Sequence, residues 1–330
     1  MLAEEAYSDL SPEQQKFLRS EPQQYFYTKG NKFNFLTAPT HTQVKVVSIV
    51  RKIKFSQLIK ALNVVAHALD VFTQYLSDES SEKYSDRNSF FDSPNFTGTL
   101  LTLPSPIGDI VILGSDDNVY NGSAALIIDL GGNDQYPGTS TKKEWPNGRV
   151  SILIDISGDD SYGGQNAKIV QGAGILSIGI LADLAGKDNY SGSALSQGCG
   201  IYGIGMLLDS RGDDIYQLGL MGQGFGVFGI GVLADGDGND QYIISSMGQG
   251  VGSTMGFGGL IDTRGNDVYR ADSNPERSEL ELDSWNHAQG VGISVRSPNW
   301  HRQFSLYGGV GFLSDGAGND SYYCAGGNCM

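Results

Sequence analysis

Two aspartates recur at a fixed spacing through the second part of the sequence, and they are its clearest candidates for chemistry. Seven segments share the pattern Asp-x-x-Gly-(Asn/Asp/Lys)-Asp-x-Tyr, in which a glycine, a second aspartate and a tyrosine keep constant offsets from the first aspartate. The first aspartates are Asp129, Asp155, Asp183, Asp209, Asp235, Asp262 and Asp315. The second aspartates are Asp134, Asp160, Asp188, Asp214, Asp240, Asp267 and Asp320. Segment 114–120, with Asn118 in place of the second aspartate, is a degenerate copy.

If the repeats stack as β-strands do, equivalent aspartates lie roughly 4.8 Å apart and form two columns of carboxylates. Unit charges at that distance repel by about 1 kcal/mol in water and several-fold more where solvent is excluded. Calcium is one counter-charge, because it binds six to eight oxygens from carboxylates and turn carbonyls. All fourteen aspartates are therefore predicted to be Ca²⁺ ligands.

A second interpretation needs no cation. Each aspartate accepts backbone N–H bonds within its own turn, as Asx-turns do. The tyrosines then stack in a ladder, and the recurring glutamines bond from one coil to the next. The sequence leaves both interpretations open.

The repeat that positions these aspartates has a period of 26 residues, which Gln171, Gln197, Gln223 and Gln249 keep without error. That length exceeds a single strand, and the repeat contains no helical pattern. Each repeat therefore predicts one coil of a parallel β-solenoid, also called a β-helix, in a mainly β protein. The boundaries expected are an N-terminal domain over 1–104 and a solenoid over 105–330, with the chain stopping inside a repeat.

The strand before each turn contains a glycine column and, two residues later, a leucine column. Residues two apart in a strand share a face, so leucine should fill the coil interior and glycine should allow close approach across it. The opposite face is also apolar, as at Ile178, Ile204 and Ile230. A strand that is apolar on both faces is covered twice. The cover is either the N-terminal domain or a partner, including a second copy of the chain.

The N-terminal domain is predicted to be small and mostly helical. Helices are expected at 11–19, from the Ser-Pro-Glu start, and at 56–76, from the i, i+3/i+4 apolar spacing. The β-branched segment Val44–Val50 predicts a strand, and segment 77–95, rich in Ser, Asp and Glu, predicts a linker.

The turn Gly236–Tyr242 resembles the glycine- and aspartate-rich nonapeptide of RTX calcium-binding repeats, which form a secreted bacterial β-roll. The resemblance implies that Asp240 and its equivalents bind calcium between turns. It covers about eight residues of each repeat, whose period here is 26 rather than nine. The whole repeat also looks like those of uncharacterised bacterial secreted or surface β-solenoid proteins, which implies a fold and a location.

Insertions at about 270–288 and 293–306 interrupt the repeat near the end of the chain. Insertions in repeat proteins form loops on one face, often the binding face. They supply aromatic, acidic and basic side chains suited to a carbohydrate, although packing or capping loops are the alternative. The candidate ligand-binding residues are Glu281, Asp283, Trp285, His287, Arg296, Trp300, His301 and Arg302.

Composition narrows the function classes. The formal charge of −15 argues against nucleic acid, and no apolar run is long enough for a transmembrane segment. Cys324 and Cys329 either pair or remain free thiols. We expect a non-enzymatic structural or binding solenoid, stabilised by calcium, in an extracellular, cell-surface or periplasmic location. It would bind a carbohydrate or protein partner and could form homo-oligomers. The alternative is a carbohydrate-active lyase or hydrolase with its site in the 270–306 insertions.

Overall fold

The computed structural model describes most of the solenoid and the helices before it. The described residues are 1–20, 27–28, 32–33, 41–78, 98–122, 124–138, 149–272, 287–293 and 308–325. Of the predicted linker at 77–95, Ser77 and Asp78 belong to a helix and the rest lies outside the described residues, as do most of the two predicted insertions.

Four helices and a short hairpin precede the solenoid. The helices are α1 Leu2–Glu5, α2 Pro12–Ser20, α3 His41–Val50 and α4 Phe55–Asp78, and the hairpin strands are β1 Tyr27–Thr28 and β2 Lys32–Phe33. Helix α2 starts as predicted, with Ser11 and Gln14 exchanging backbone and side-chain hydrogen bonds of 3.1 and 3.3 Å. This reciprocal pair is a capping box. No helix in the described part of the chain combines the length and apolar character needed to cross a membrane.

The strand prediction for Val44–Val50 is wrong, since these residues belong to α3. Local β-branching favours a strand, but Val46, Val47, Ile49 and Val50 all bury their side chains at helical spacing. Burial on one helix face outweighs the weak intrinsic preference.

The remaining described strands form three sheets, in which strands from successive coils lie side by side, although only three coils contribute to the smallest sheet. The nine-stranded sheet contains β3 Thr99–Leu103, β4 Ile110–Leu113, β5 Leu126–Asp129, β7 Val150–Asp155, β10 Ile178–Asp183, β13 Ile204–Asp209, β16 Ile230–Asp235, β18 Phe257–Asp262 and β20 Val310–Ser314. The seven-stranded sheet contains β6 Gln135–Tyr136, β8 Ser161–Gly163, β11 Asn189–Ala194, β14 Ile215–Leu220, β17 Gln241–Ser246, β19 Val268–Asp272 and β21 Ser321–Ala325. The three-stranded sheet contains β9 Gly174–Ile175, β12 Gly200–Ile201 and β15 Gly226–Val227.

The predicted parallel β-solenoid is confirmed. Strands pair in register from coil to coil, so Asp183 lies beside both Asp155 and Asp209. The exception is β3, which pairs antiparallel with β4 and lies ahead of the boundary expected at residue 105. An antiparallel first strand ends the parallel stack at the N-terminal side.

The two inward columns behave as the sequence predicts. Leu207 is fully buried and packs with the tyrosines in the coil interior. At Gly205, an added Cβ would lie 2.1 Å from the Cys199 carbonyl oxygen, in the loop that leads into β12. Glycine is therefore required because two parts of the coil meet there without room for a side chain.

The outer face of the nine-stranded sheet is covered by the N-terminal helices along its middle strands, β7, β10, β13 and β16. Ile178, Ile180 and Ile204 belong to the same buried cluster as residues of α1, α3 and α4. The Tyr7 hydroxyl donates to the Tyr202 carbonyl at 2.9 Å. Arg149 stacks 4.6 Å from the centre of the Tyr7 ring. The cover expected from the sequence is thus the chain's own helical region over these coils.

The two described cysteines differ in their chemistry. Cys199 is a buried free thiol, and burial raises its pKa. Cys324, in the last described strand, is disulfide-bonded. Cys329 lies outside the described residues.

Leu207→Ala tests the interior packing. Removing a fully buried leucine leaves a cavity and should lower the free energy of unfolding by about 2 to 5 kcal/mol. Leu208→Ala, on the half-buried outer face one residue later, is the matched control and should cost less than half as much. Urea unfolding followed by circular dichroism measures both values. Equal losses would contradict the assignment of inner and outer faces.

Candidate functional site

The first aspartate column closes its turns through the Oδ1 atom. In six of the seven copies, this oxygen accepts the N–H of the residue two positions later, for example Arg211 bonding to Asp209 at 3.2 Å, while Asp315 Oδ1 has no such donor among the described residues. The other donors are Gly131, Ser157, Ala185, Asp237 and Arg264. This is the Asx-turn expected by the interpretation that needs no cation.

A tyrosine ladder satisfies the other oxygen of the same column. From Tyr136 to Tyr322, successive tyrosine rings stack with centroids 4.7 to 4.8 Å apart. The Tyr216 hydroxyl lies 3.2 Å from Asp209 Oδ2 and 2.6 Å from Asp235 Oδ2. It therefore bridges the carboxylates of two coils, and the predicted tyrosine ladder is confirmed.

The second aspartate column joins each coil to the next. The backbone N–H of Asp188 donates to Asp214 Oδ1 at 2.6 Å, and that of Asp214 donates to Asp240 Oδ1 at 2.7 Å. The degenerate copy takes part as well, since the Asn118 N–H donates to Asp134 at 2.5 Å. A backbone amide of one coil is thus held by a carboxylate of the following coil.

The Oδ2 atoms of this second column are buried without a hydrogen-bond donor among the described residues. The six aspartates concerned are Asp134, Asp160, Asp188, Asp214, Asp240 and Asp267. A buried charged oxygen without a partner is costly. The same atom recurs in successive coils, so the lack of a donor for Oδ2 is a property of the repeat.

Asp134, Asp160, Asp188 and Asp214 each lie in a triad with first-column aspartates of two successive coils, whereas Asp240 and Asp267 share a triad with the single first-column residue Asp262. Asp214, for example, is grouped with Asp209 and Asp235, with one carboxylate oxygen of each within 4.8 Å of the others. Within a coil, Asp129 and Asp134 also lie close enough to form a hydrogen bond when one carries a proton. The triads can hold a cation or a proton.

Burial dominates the electrostatics of both columns. Desolvation raises the pKa of Asp214, and the negative charges of Asp209 and Asp235 raise it further. Asp188 and Asp240 show the same direction for the same reasons. Hydrogen bonds from backbone amides oppose these shifts without cancelling them. The folded chain therefore disfavours fully ionised columns unless something else supplies positive charge.

The recurring glutamines, Gln171, Gln197, Gln223 and Gln249, form hydrogen bonds between neighbouring coils at another corner. Gln197 Nε2 donates to the carbonyl of Tyr190 in its own coil, at 2.9 Å, and to that of Gln217 in the next, at 3.2 Å. Gln197 and Gly198 have φ values of 53° and 71°, so the glycine supplies one of two successive left-handed residues. The predicted coil-to-coil role is confirmed, although the partners are backbone carbonyls.

A third ladder at the turn tips was missed by sequence reasoning. Where the residue before the second aspartate is Asn or Asp, its side chain can accept an N–H from the neighbouring coil, as when Asp213 binds the Asn239 N–H at 2.9 Å. Asn239 in turn accepts from Asn266 at 3.2 Å. Lys187 cannot accept and interrupts this ladder. The signal was present, because this position is mostly Asn or Asp in the seven copies.

The structure brings the predicted metal-binding aspartates together but describes little of the predicted ligand site. The last pair, Asp315 and Asp320, is only half-buried. Of the eight candidate ligand-binding residues, His287 alone is described. Its carbonyl accepts the Met247 N–H at 2.8 Å, and burial lowers the pKa of its ring. Glu281, Asp283, Trp285, Arg296, Trp300, His301 and Arg302 lie outside the described residues, so the carbohydrate site stays a prediction.

Comparisons with known proteins give no relative. No family model matches the chain, and neither the curated proteins nor the solved structures contain a match. The assignment of the chain to the β-solenoid class therefore rests on its structure.

The raised aspartate pKa values predict an inverse pH dependence of stability in the metal-free chain. A carboxyl whose folded pKa lies above its unfolded value stabilises the fold at low pH and loses that contribution as pH rises through the folded pKa. For Asp214 this window extends from the unfolded value of 3.8 up to about 9. In excess chelator, the melting temperature should fall steadily between about pH 5 and about pH 9.

Asp214→Asn, which cannot ionise, should reduce that slope. Asp213→Asn is the matched control, because Asp213 is exposed and its hydrogen bonds with Asn239 lower its pKa. A melting temperature that rises with pH over this range would contradict the prediction.

Proposed function

We propose that the chain is a non-enzymatic structural or binding solenoid that works outside the cytoplasm, with calcium neutralising its buried aspartates. The observation that carries this proposal is the recurrent buried Oδ2 without a donor in the second aspartate column. A cation placed against that atom supplies the partner that the protein does not.

The donor chemistry favours calcium over softer metals. Each triad offers only carboxylate oxygens, with no histidine or cysteine among its members. Oxygen-only ligands suit calcium, while nitrogen and sulfur ligands suit zinc and copper. Three carboxylates such as Asp209, Asp214 and Asp235 carry six oxygens between them, which reaches the lower end of calcium coordination. Some of these oxygens also accept hydrogen bonds, so binding would compete with the tyrosine hydroxyls.

Charge balance supports one divalent ion per coil. A coil contributes one aspartate from each column, such as Asp183 and Asp188, and two negative charges are balanced by one Ca²⁺. Protons are the competing counter-charge, since the two carboxyls of a coil can share one. The proposal requires calcium to replace those protons near neutral pH.

One observed feature supports a location outside the cytoplasm. Cys324 is disulfide-bonded, and disulfides persist mainly in oxidising compartments. Calcium sites in extracellular modules are weak, with dissociation constants of roughly 10⁻⁴ to 10⁻³ M, so they fill only where calcium is abundant. A scaffold with partly protonated sites of this kind would become stiffer on reaching such a compartment.

Calcium addition to the metal-free chain tests the proposal. At about pH 7.5, excess calcium should raise the melting temperature by more than about 10 °C, because the ion binds the folded state alone. Magnesium, which demands a tighter octahedral site, should give a much smaller shift. Differential scanning calorimetry measures both.

Calorimetric titration of two neighbouring variants then locates the ions. Asp214→Asn should remove about one ion per chain from the binding stoichiometry. Asp213→Asn should leave it unchanged, since Asp213 is exposed and belongs to the turn-tip ladder. A melting curve that responds to pH and not to calcium would show that protons neutralise the columns and would overturn the calcium proposal.

A further inference from the structure

The cover on the outer face of the nine-stranded sheet stops partway along the solenoid. In the outer row that contains Ile178 and Ile204, these two residues are 0% and 1% exposed beneath the N-terminal helices. The same row continues with Phe257, which is 37% exposed, and Val310, which is 61% exposed. The row is apolar throughout, but its side chains become exposed towards the last described coil.

A corner column beside that row changes in the same way. Leu176, Tyr202 and Phe228 are at most 1% exposed, whereas the next member, Met255, is 44% exposed. All four have left-handed backbone, with φ between 44° and 55°. Bulky residues adopt this conformation at a cost of order 1 kcal/mol, which packing beneath the helices offsets at the first three. At Met255 the same conformation presents an exposed side chain.

These residues form a continuous apolar surface on the last coils, which we name the open patch. It consists of Met255, Phe257, Ile261, Val310 and Phe312, each at least 37% exposed. It continues the surface that already binds helices within the chain. The outer face of the seven-stranded sheet is mixed, because Asn189, Ser191 and Gln217 lie beside Ile215 in its middle strands. Its last strands expose Val268 and Tyr323, which flank Arg270 and Ser321.

Helix α4 carries the matching surface on the same chain. Its inner side packs on the solenoid cluster through Leu58, while Val64 and Val71, two turns apart, are 63% and 53% exposed. Residues seven apart lie on one side of a helix. The chain thus exposes two valines on one helix side, with Ala68 and His67 between them, and an apolar sheet surface. Elsewhere a side of this helical region packs against the same sheet.

We propose that a second copy of the chain docks on the open patch, with α4 of each copy against the patch of the other. A two-fold arrangement buries both surfaces reciprocally, because residue i of one copy meets residue j of the other and the reverse holds at the second contact. The net charge of −15 makes two copies repel at long range. Salt screens that repulsion, so association should strengthen as ionic strength rises, unlike binding to a basic partner.

Analytical ultracentrifugation of the full chain over about 1 to 100 µM tests the proposal, and a dimer is expected across the upper part of that range. The double variant Val310→Thr/Phe312→Thr keeps β-forming residues and should raise the dimer dissociation constant by about tenfold or more. Its matched control is Val268→Thr/Tyr323→Thr, on the outer face of the other sheet, where the two residues are 39% and 54% exposed. The control should bind within about threefold of the natural chain.

The helix side supplies an independent variant if the sheet variant fails to fold. Val64→Ser/Val71→Ser changes two exposed helix positions and should also raise the dissociation constant by about tenfold. Circular dichroism verifies that each variant is folded. A chain that stays monomeric at every concentration and salt level overturns the proposal. So does a dimer that either the sheet variant or the helix variant leaves intact, or one that the control weakens equally.

Discussion

Each coil of this solenoid buries two carboxylates, and the groups that stabilise them come partly from the neighbouring coil. Asp209 depends on tyrosine hydroxyls from two coils, and Asp214 Oδ1 accepts the backbone amide of Asp188 in the coil before. A coil separated from its neighbours would leave buried charges without partners. Stacking is therefore a requirement of the buried polar groups as much as of the apolar interior.

That requirement explains why the repeat is so regular. A coil that slipped by one residue would turn its leucine outward and move its aspartate away from the tyrosine hydroxyl. The register therefore fixes Leu207, Asp209 and Tyr216 together. The tyrosine rings hold the spacing of the coils, the first aspartate shapes the turn, and the second aspartate ties the turn to the coil before it.

The solenoid could be predicted from the sequence because the same residue pattern recurs from coil to coil. Seven copies of one turn and the constant spacing of the glutamines define the coil length, the inner face and the aspartate columns. The role of the first column also followed from local chemistry, since an aspartate two residues before a free amide forms an Asx-turn. The unpaired Oδ2 of Asp214 could not be predicted, because it depends on which donors reach the interior in three dimensions.

The N-terminal region was harder to predict because it occurs once. Val44–Val50 has the composition of a strand, and only its burial against the rest of the helical region makes it part of α3. The number of coils that the helices cover could not be predicted from the sequence either. Ile178 and Val310 have the same character in the sequence, yet one is buried and the other exposed, since helix length and placement decide how many coils are covered.

The contact between Tyr7 and Arg149 joins the helical region to the solenoid. It also determines how the molecule would respond to force. The helices hold the coils from β7 to β16, while the last described coil contains β20 and β21, with Tyr322 about half exposed. Tension applied at the C-terminal end would peel off that coil and expose an equivalent edge on the next. The last described coil, whose equivalent positions are 53 residues apart, would release roughly 180 Å of extended chain, and each regular coil roughly 90 Å. After that first step the molecule would lengthen in nearly equal steps, until the load reaches the coils that the helices hold.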